Sequence, residues 1–222
     1  MSRPHRSSLA LILPTLALAT ALVGCTLHGS GTQASEVREL QHFDRVDLGG
    51  AFELRVHVDP EVEQKVELSA DDNILEGIGT QVSGTELEIT MEEWKVRPKQ
   101  PMLVEIWVPS LAEIDASGAA DIQVEGLHGE RFELDVSGAA KAVLDGRVES
   151  FELDSSGASE VEARALEAKR VRLELSGAGK AEVFASEELD VDLSGAAQVR
   201  YWGEPESVRE DVSGAGKVEP GS

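Results

Sequence analysis

The chain has 222 residues, 42 of them Asp or Glu and 20 Lys or Arg, for a net charge of −22 at pH 7. So acidic a surface excludes nucleic acid as a partner, because phosphate binding needs a basic face, and it disfavours electrostatic attachment to anionic lipid. A hydrophobic fraction of 41% supports a folded core, and one Cys excludes an internal disulfide framework or a cysteine-built metal site.

The chain opens with Arg3 and Arg6, followed by an apolar run from Leu9 to Val23 that ends in Leu22-Val23-Gly24-Cys25. This layout is that of an export signal. It resembles a bacterial lipoprotein signal peptide over residues 1–24, in which the Cys after small or aliphatic residues is lipidated and becomes the first residue. The resemblance implies Cys25 as the lipidation site and a membrane partner reached through acyl chains. An uncleaved spanning helix fits poorly, since the run is short and carries Pro14. Simple secretion after Ala17-Leu18-Ala19 is the other reading. Thr26 after the Cys resembles sorting to the outer membrane in a two-membrane host. Residues 25–35, rich in Gly, Ser and Thr, read as the lipidated Cys and a flexible tether.

Residues 36–111 are strand-like without a repeat. Phe52 to Val58, Glu86 to Met91 and Met102 to Val108 alternate apolar and polar residues, and Asp71 to Glu76 reads as a capped helical turn. No linker separates this part from the next, so 36–222 reads as one domain, with irregular coils over 36–111 and regular repeats over 112–219.

From Ala112 onward one unit recurs. Ser-Gly-Ala begins at Ser117, Ser137, Ser156, Ser176, Ser194 and Ser213, at spacings of 20, 19, 20, 18 and 19. A fixed period of this size marks a stacked array. Apolar residues alternate on both sides of each Ser-Gly, so each unit is strand, Gly turn, strand and a second turn. The ordering cost of one such unit exceeds its own burial, which is why the units must stack. The expected fold is an all-β parallel β-helix with about six coils of 19–20 residues. Antiparallel hairpins turning at each Ser-Gly are the alternative. The Ala column 119, 139, 158, 178, 196 and 215 favours the parallel stack by supplying a small residue where each rung bends. In the last copy Glu210 and Pro220 fall on inward positions and would blunt the open edge.

The opening Phe43-Asp44-Arg45-Val46-Asp47-Leu48, the segment Asp72-Asn73-Ile74-Leu75, the strand Leu87-Glu88-Ile89, Val108-Pro109-Ser110-Leu111 and the serial Ser-Gly-Ala turns together resemble the head GIN domain family over nearly all of 36–219. The resemblance implies a right-handed parallel β-helix on a bacterial envelope lipoprotein with an adhesin-type role. It carries over no catalytic residue.

Two steps before each Ser stand Asp115, Asp135, Asp154, Glu174, Asp192 and Asp211. Parallel stacking would make them a ladder, each neighbouring pair repelling by about 1 kcal/mol even in water. Weak binding of Ca²⁺ or Mg²⁺, or of a cationic partner, would offset that repulsion. The competing reading is a solubilising face relieved by neighbouring Lys and Arg, for which the column Asp121, Lys141, Glu160, Lys180, Gln198, Lys217 offers cross-rung pairing.

Tyr201 and Trp202 are candidates for stacking on a sugar, against an inward Tyr beside a rim Trp. Trp94-Lys95-Val96-Arg97-Pro98-Lys99 is the one basic aromatic cluster, suited to lipid headgroups or anionic glycan, or else a plain loop. Histidines 28, 42, 57 and 128 show no metal spacing. The letters Gly29-Ser30-Gly31-Thr32-Gln33-Ala34 match a dinucleotide fingerprint but follow no strand. No His recurs beside the six Ser to act as a base, so a hydrolase is disfavoured. The expected role is a non-catalytic binding or adhesion module of the cell envelope, without cofactor, whose partner is an envelope glycan or a surface protein. A passive structural protein is the first alternative and a polysaccharide-active enzyme the second.

Overall fold

The computed structural model describes residues 26–91 and 95–221. In chain order its elements are β1 (Leu27–His28), β2 (Gln33–Arg38), β3 (Arg45–Gly50), β4 (Glu53–Val58), β5 (Lys65–Asp71), the one-turn helix α1 (Asp72–Leu75), β6 (Ile78–Ser83), β7 (Glu86–Met91), β8 (Val96–Arg97), β9 (Leu103–Val108) and β10 (Glu113–Gly118). There follow β11 (Asp121–Gly138), β12 (Lys141–Gly157), β13 (Glu160–Gly177), β14 (Lys180–Gly195), β15 (Gln198–Trp202), β16 (Ser207–Gly214) and β17 (Lys217–Pro220).

The repeats pair in parallel and in register from β10 through β16, Ser on Ser and Gly on Gly at every corner. This is the stacked β-helix, and the hairpin alternative is excluded. The six Ser-Gly corners enclose five complete coils between them, against the six expected. Variation in repeat length is absorbed at the second bend, where register shifts occur between Val124 and Leu127, Val143 and Asp145, and Ala163 and Glu167. The Ser-Gly corners therefore stay aligned whatever the length of the unit.

Each corner glycine from Gly118 to Gly214 has φ between +108° and +121°. A Cβ on Gly157 would overlap the Gly138 carbonyl one rung earlier. Both conditions require glycine. The alanine that follows is exposed, and it is the next residue that turns inward: Ala120, Ala140, Ser159 and Ala197 are buried. The demand for a small side chain thus falls one position later than the Ala column suggested. Inside, Ile114, Leu134, Leu153, Leu173 and Val191 form a fully buried column, and Phe132 stacks on Phe151 at 6.1 Å. Ser155, which breaks an otherwise apolar column, is 2% exposed and shares a hydrogen bond with the buried Ser159 hydroxyl at 2.5 Å. That pairing satisfies both groups.

The irregular part contains two more rungs. Strands β3 and β4 pair with β10 and the start of β11, with Gly49-Gly50 in the place of Ser-Gly. On their other side lie β7 and β9, again parallel, joined by a longer connection in place of the corner. Beyond these the pairing turns antiparallel, β6 on β7, β5 on β9 and β2 on β5, which closes that end of the stack. Residues 27–35, expected as part of a flexible tether, are instead built in: β1 pairs with β8, and β2 with β5. No helix among the described residues is long and apolar enough to cross a membrane.

Candidate functional site

Strand periodicity places every second residue outside, so stacking turns one acidic position per repeat into a column. Asp115, Asp135, Asp154, Glu174, Asp192 and Asp211 are register partners in sequence. The column extends past the repeats: Asp47 pairs with Asp115, and Glu88 with Asp47. Eight carboxylates thus run along one face over roughly 34 Å, at about 4.8 Å per rung.

Among the described residues only Glu174 in this column has an ion-pair partner, Arg172 at 2.6 Å. Basic residues in the column two positions earlier serve mostly each other's neighbours: Arg45 meets Glu113 at 3.1 Å, and Arg209 meets Asp190 at 3.4 Å. Beyond the corner the picture reverses. Lys141 reaches Glu162 at 3.3 Å, and Lys180 bridges Glu160 at 3.7 Å and Glu182 at 2.8 Å. Cross-rung pairing neutralises the second face and leaves the ladder charged.

The carboxyl groups register that strain. Partial burial, then Glu133, Asp154, Asp115 and Glu113, push Asp135 up to about 6. Burial followed by Asp115, Glu86 and Glu88 raises Asp47, and burial followed by Glu174 raises Asp154. A small cleft of about 140 Å³ opens here between Glu133, Asp135, Glu152, Asp154, Arg172 and Glu174. No three metal-ligating side chains converge among the described residues. The arrangement suits a diffuse or extended cation rather than a coordinated ion.

Cys25 and Trp94 lie outside the described residues. Tyr201 packs partly buried against the core. Trp202 is partly buried, with the Arg164 guanidinium 4.6 Å from its ring centroid and Gly221 packed against the indole. Arg164 stands over one face of the ring.

Two clusters escaped the sequence reading. The first centres on Asp71. Its carboxylate is fully buried and accepts hydrogen bonds from the backbone N–H groups of Gly31 at 2.6 Å, Lys99 at 2.8 Å and Gln100 at 3.1 Å. Burial alone would raise its pKa, but these donors and the Lys99 charge outweigh it and hold the carboxyl below its ordinary value. Asp71 stands at the N-cap position of α1, yet its side chain clasps the N-terminal segment rather than the helix. Around it Asn73 Oδ1 accepts from Ser30 N at 2.8 Å, and Asn73 Nδ2 donates to the His28 carbonyl at 2.9 Å. The second cluster is a row across four strands, Lys65, Trp107, His57 and Glu125. His57 stacks on Trp107 at 5.4 Å, and the Lys65 ammonium sits 4.6 Å from the Trp107 ring centroid. Alternation in 52–58 and 102–108 already placed His57 and Trp107 outward, and only the adjacency of those strands was hidden.

A family profile described as "putative auto-transporter adhesin, head GIN domain" matches residues 42–205. The chain belongs to this family. This GIN domain is similar to the crystal structure of a putative adhesin from Bacteroides fragilis, with a TM-score of 0.71 and 21% identity over 87% of this chain and 99% of that one. It is also similar to a putative lipid binding protein from Parabacteroides distasonis, with a TM-score of 0.59 and 17% identity over 89% and 100% of the two chains. A putative adhesin from Parabacteroides merdae aligns with a TM-score of 0.53 and 18% identity over 89% and 99%. At such identities the likeness establishes the fold. No protein of curated function matches the GIN domain chain.

Proposed function

We propose that this GIN domain is a non-catalytic adhesion module, lipid-anchored to the bacterial envelope through Cys25, whose contact face is the acidic column. The observation that carries the reading is the unequal neutralisation of the two outer faces. Lys141 and Lys180 are paired across rungs, while Glu88, Asp47, Asp115, Asp135, Asp154, Asp192 and Asp211 have no ion-pair partner among the described residues. A face evolved only for solubility gains nothing from repulsion that one lysine per rung would remove. A rigid stripe of charge complements a cationic partner by geometry and by the release of counterions. Ca²⁺ or Mg²⁺ would act as exchangeable counterions on the same stripe rather than as fixed ligands.

Family membership and the names of the structural neighbours support an adhesin-type role. The Leu22-Val23-Gly24-Cys25 motif supports the anchor, and Thr26 after the Cys supports an outer-membrane address in a two-membrane host. Cells displaying the protein should adhere to polylysine-coated surfaces more than cells displaying Asp115→Asn/Asp135→Asn/Asp154→Asn, and Cys25→Ser should release the protein from the membrane fraction. Equal adherence by the ladder variant at equal display would remove the contact face from the proposal, and membrane retention of Cys25→Ser would remove the anchor.

A further inference from the structure

The two poles of the stack differ. Antiparallel β2, β5 and β6 close one, and the chain enters at that end, with Leu27 of β1, two residues past Cys25, held against β8. At the other pole, among the described residues, β16 pairs only with β14 and β17 only with β15, so the terminal coil keeps an edge with no strand paired to it. All of β16 is exposed. Val208 and Val212 are each 41% exposed, whereas Leu189 and Leu193, their register partners one rung earlier, are fully buried. The terminal coil presents interior positions and free backbone groups to solvent, the arrangement that templates strand addition.

We infer that the strand added is the same edge of a second copy, running antiparallel about a two-fold axis through Glu210. In that register Val208 opposes Val212 of the other copy, Arg209 opposes Asp211, and Ser207 opposes Ser213. Opposed residues stand on the same face of the sheet. The valines therefore extend the interior columns, while two Arg–Asp pairs close the contact outside. A shift of one residue opposes inward Val208 to outward Asp211. A shift of two opposes Arg209 to Arg209 or Asp211 to Asp211. The segment Val208-Arg209-Glu210-Asp211-Val212 is complementary to itself in one register alone, and Lys217-Val218-Glu219 in β17 is self-complementary in the same sense. This is an isologous contact of two-fold symmetry.

One like-charge contact opposes the pairing: Glu210, the inward position in register with buried Val191 and the charge that blunts this edge, faces its copy on the axis between the valines. With two short strands on each side the buried area falls below the roughly 1,000 Å² of a stable interface, so a single contact is weak and works by number. Because the edge lies at the pole opposite Leu27, where the described chain enters, two copies anchored through Cys25 would meet head to head from facing membranes. That last step rests on the lipid-anchored adhesion reading above and makes the partner a second copy of this chain.

Sedimentation velocity of the full chain in mild detergent reads the pairing without reference to anchoring. The wild type should show a concentration-dependent dimer, tightened about tenfold by Glu210→Gln. Arg209→Asp and Asp211→Arg should each sediment as monomers, and their equimolar mixture should recover the dimer, since opposite charges then face each other again. Swaps without effect, a mixture that stays monomeric, or monomer throughout including Glu210→Gln would overturn the pairing. Flotation of the same full chain with vesicles, against Cys25→Ser, reports the anchor separately. Failure to float with the dimer intact removes the membrane-bridging step alone. Vesicles that carry the protein should cluster, and flotation and dimer without clustering would contradict the head-to-head arrangement.

Discussion

Replacing one corner glycine, Gly157→Ala, tests the stacking directly. Gly157 sits at φ +121°, a region costing an alanine about 1–3 kcal/mol. The new Cβ would overlap the Gly138 carbonyl, which at present accepts the Ala158 N–H at 2.8 Å. Relief by moving the corner would stretch that bond and its neighbour, Ala178 N–H to the Gly157 carbonyl at 2.8 Å, at about 1 kcal/mol for a hydrogen bond lost. Together these give about 2–4 kcal/mol, a large part of the 5–15 kcal/mol typical of a domain. Urea unfolding followed by circular dichroism should show the midpoint lowered accordingly, while Ala158→Ser at the neighbouring exposed position should shift stability by less than about 0.5 kcal/mol. A Gly157→Ala protein as stable as the wild type would mean that the rungs do not approach as closely as described, and the aligned carboxylate column would lose its basis.

Other perturbations read other parts of the molecule. Asp135 holds its proton up to about pH 6 in the folded state but only to its ordinary 3.8 when unfolded. Its contribution to stability is therefore full below about pH 3.8 and lost as pH rises through 6; Asp135→Asn should flatten that dependence in thermal melts and raise stability at pH 7 by about 1 kcal/mol once solvent screening is allowed for. Asp71→Asn removes the buried acceptor of three backbone N–H groups, so hydrogen exchange should quicken at 27–38 and leave the regular coils unchanged. Because the Asp71 carboxyl titrates below its ordinary value, its stabilising effect is present at neutral pH and lost as pH falls. Phe151→Ala should cost about 3–5 kcal/mol in urea unfolding by opening a cavity against Phe132.

The period of Ser-Gly-Ala made the stack, its parallel sense and the acidic column legible, because a β-helix writes the same residue at the same place in each coil. The rung at 45–58 was hidden because Gly49-Gly50-Ala51 lacks the Ser, although Asp47-Leu48 and Phe52 keep the flanking pattern. The rung of β7 and β9 was hidden because its corner is replaced by a longer connection, so no period links Glu88 to Asp47. Composition suggested a tether at 25–35, and composition cannot see a carboxylate 40 residues away. Asp71 orders that segment by long-range hydrogen bonds to Gly31 and to the 99–100 backbone. The unequal pairing of the two outer faces depends on side-chain reach across rungs, which spacing alone does not give.

Titration of the purified full chain with polylysine by calorimetry, at low and at physiological salt, tests the adhesive column most directly. Binding should be salt-sensitive and should weaken at least tenfold in Asp115→Asn/Asp135→Asn/Asp154→Asn, while neutralising Glu160 and Glu182 on the paired face should change it little. Absence of binding at low salt, or equal loss from either face, would contradict the account.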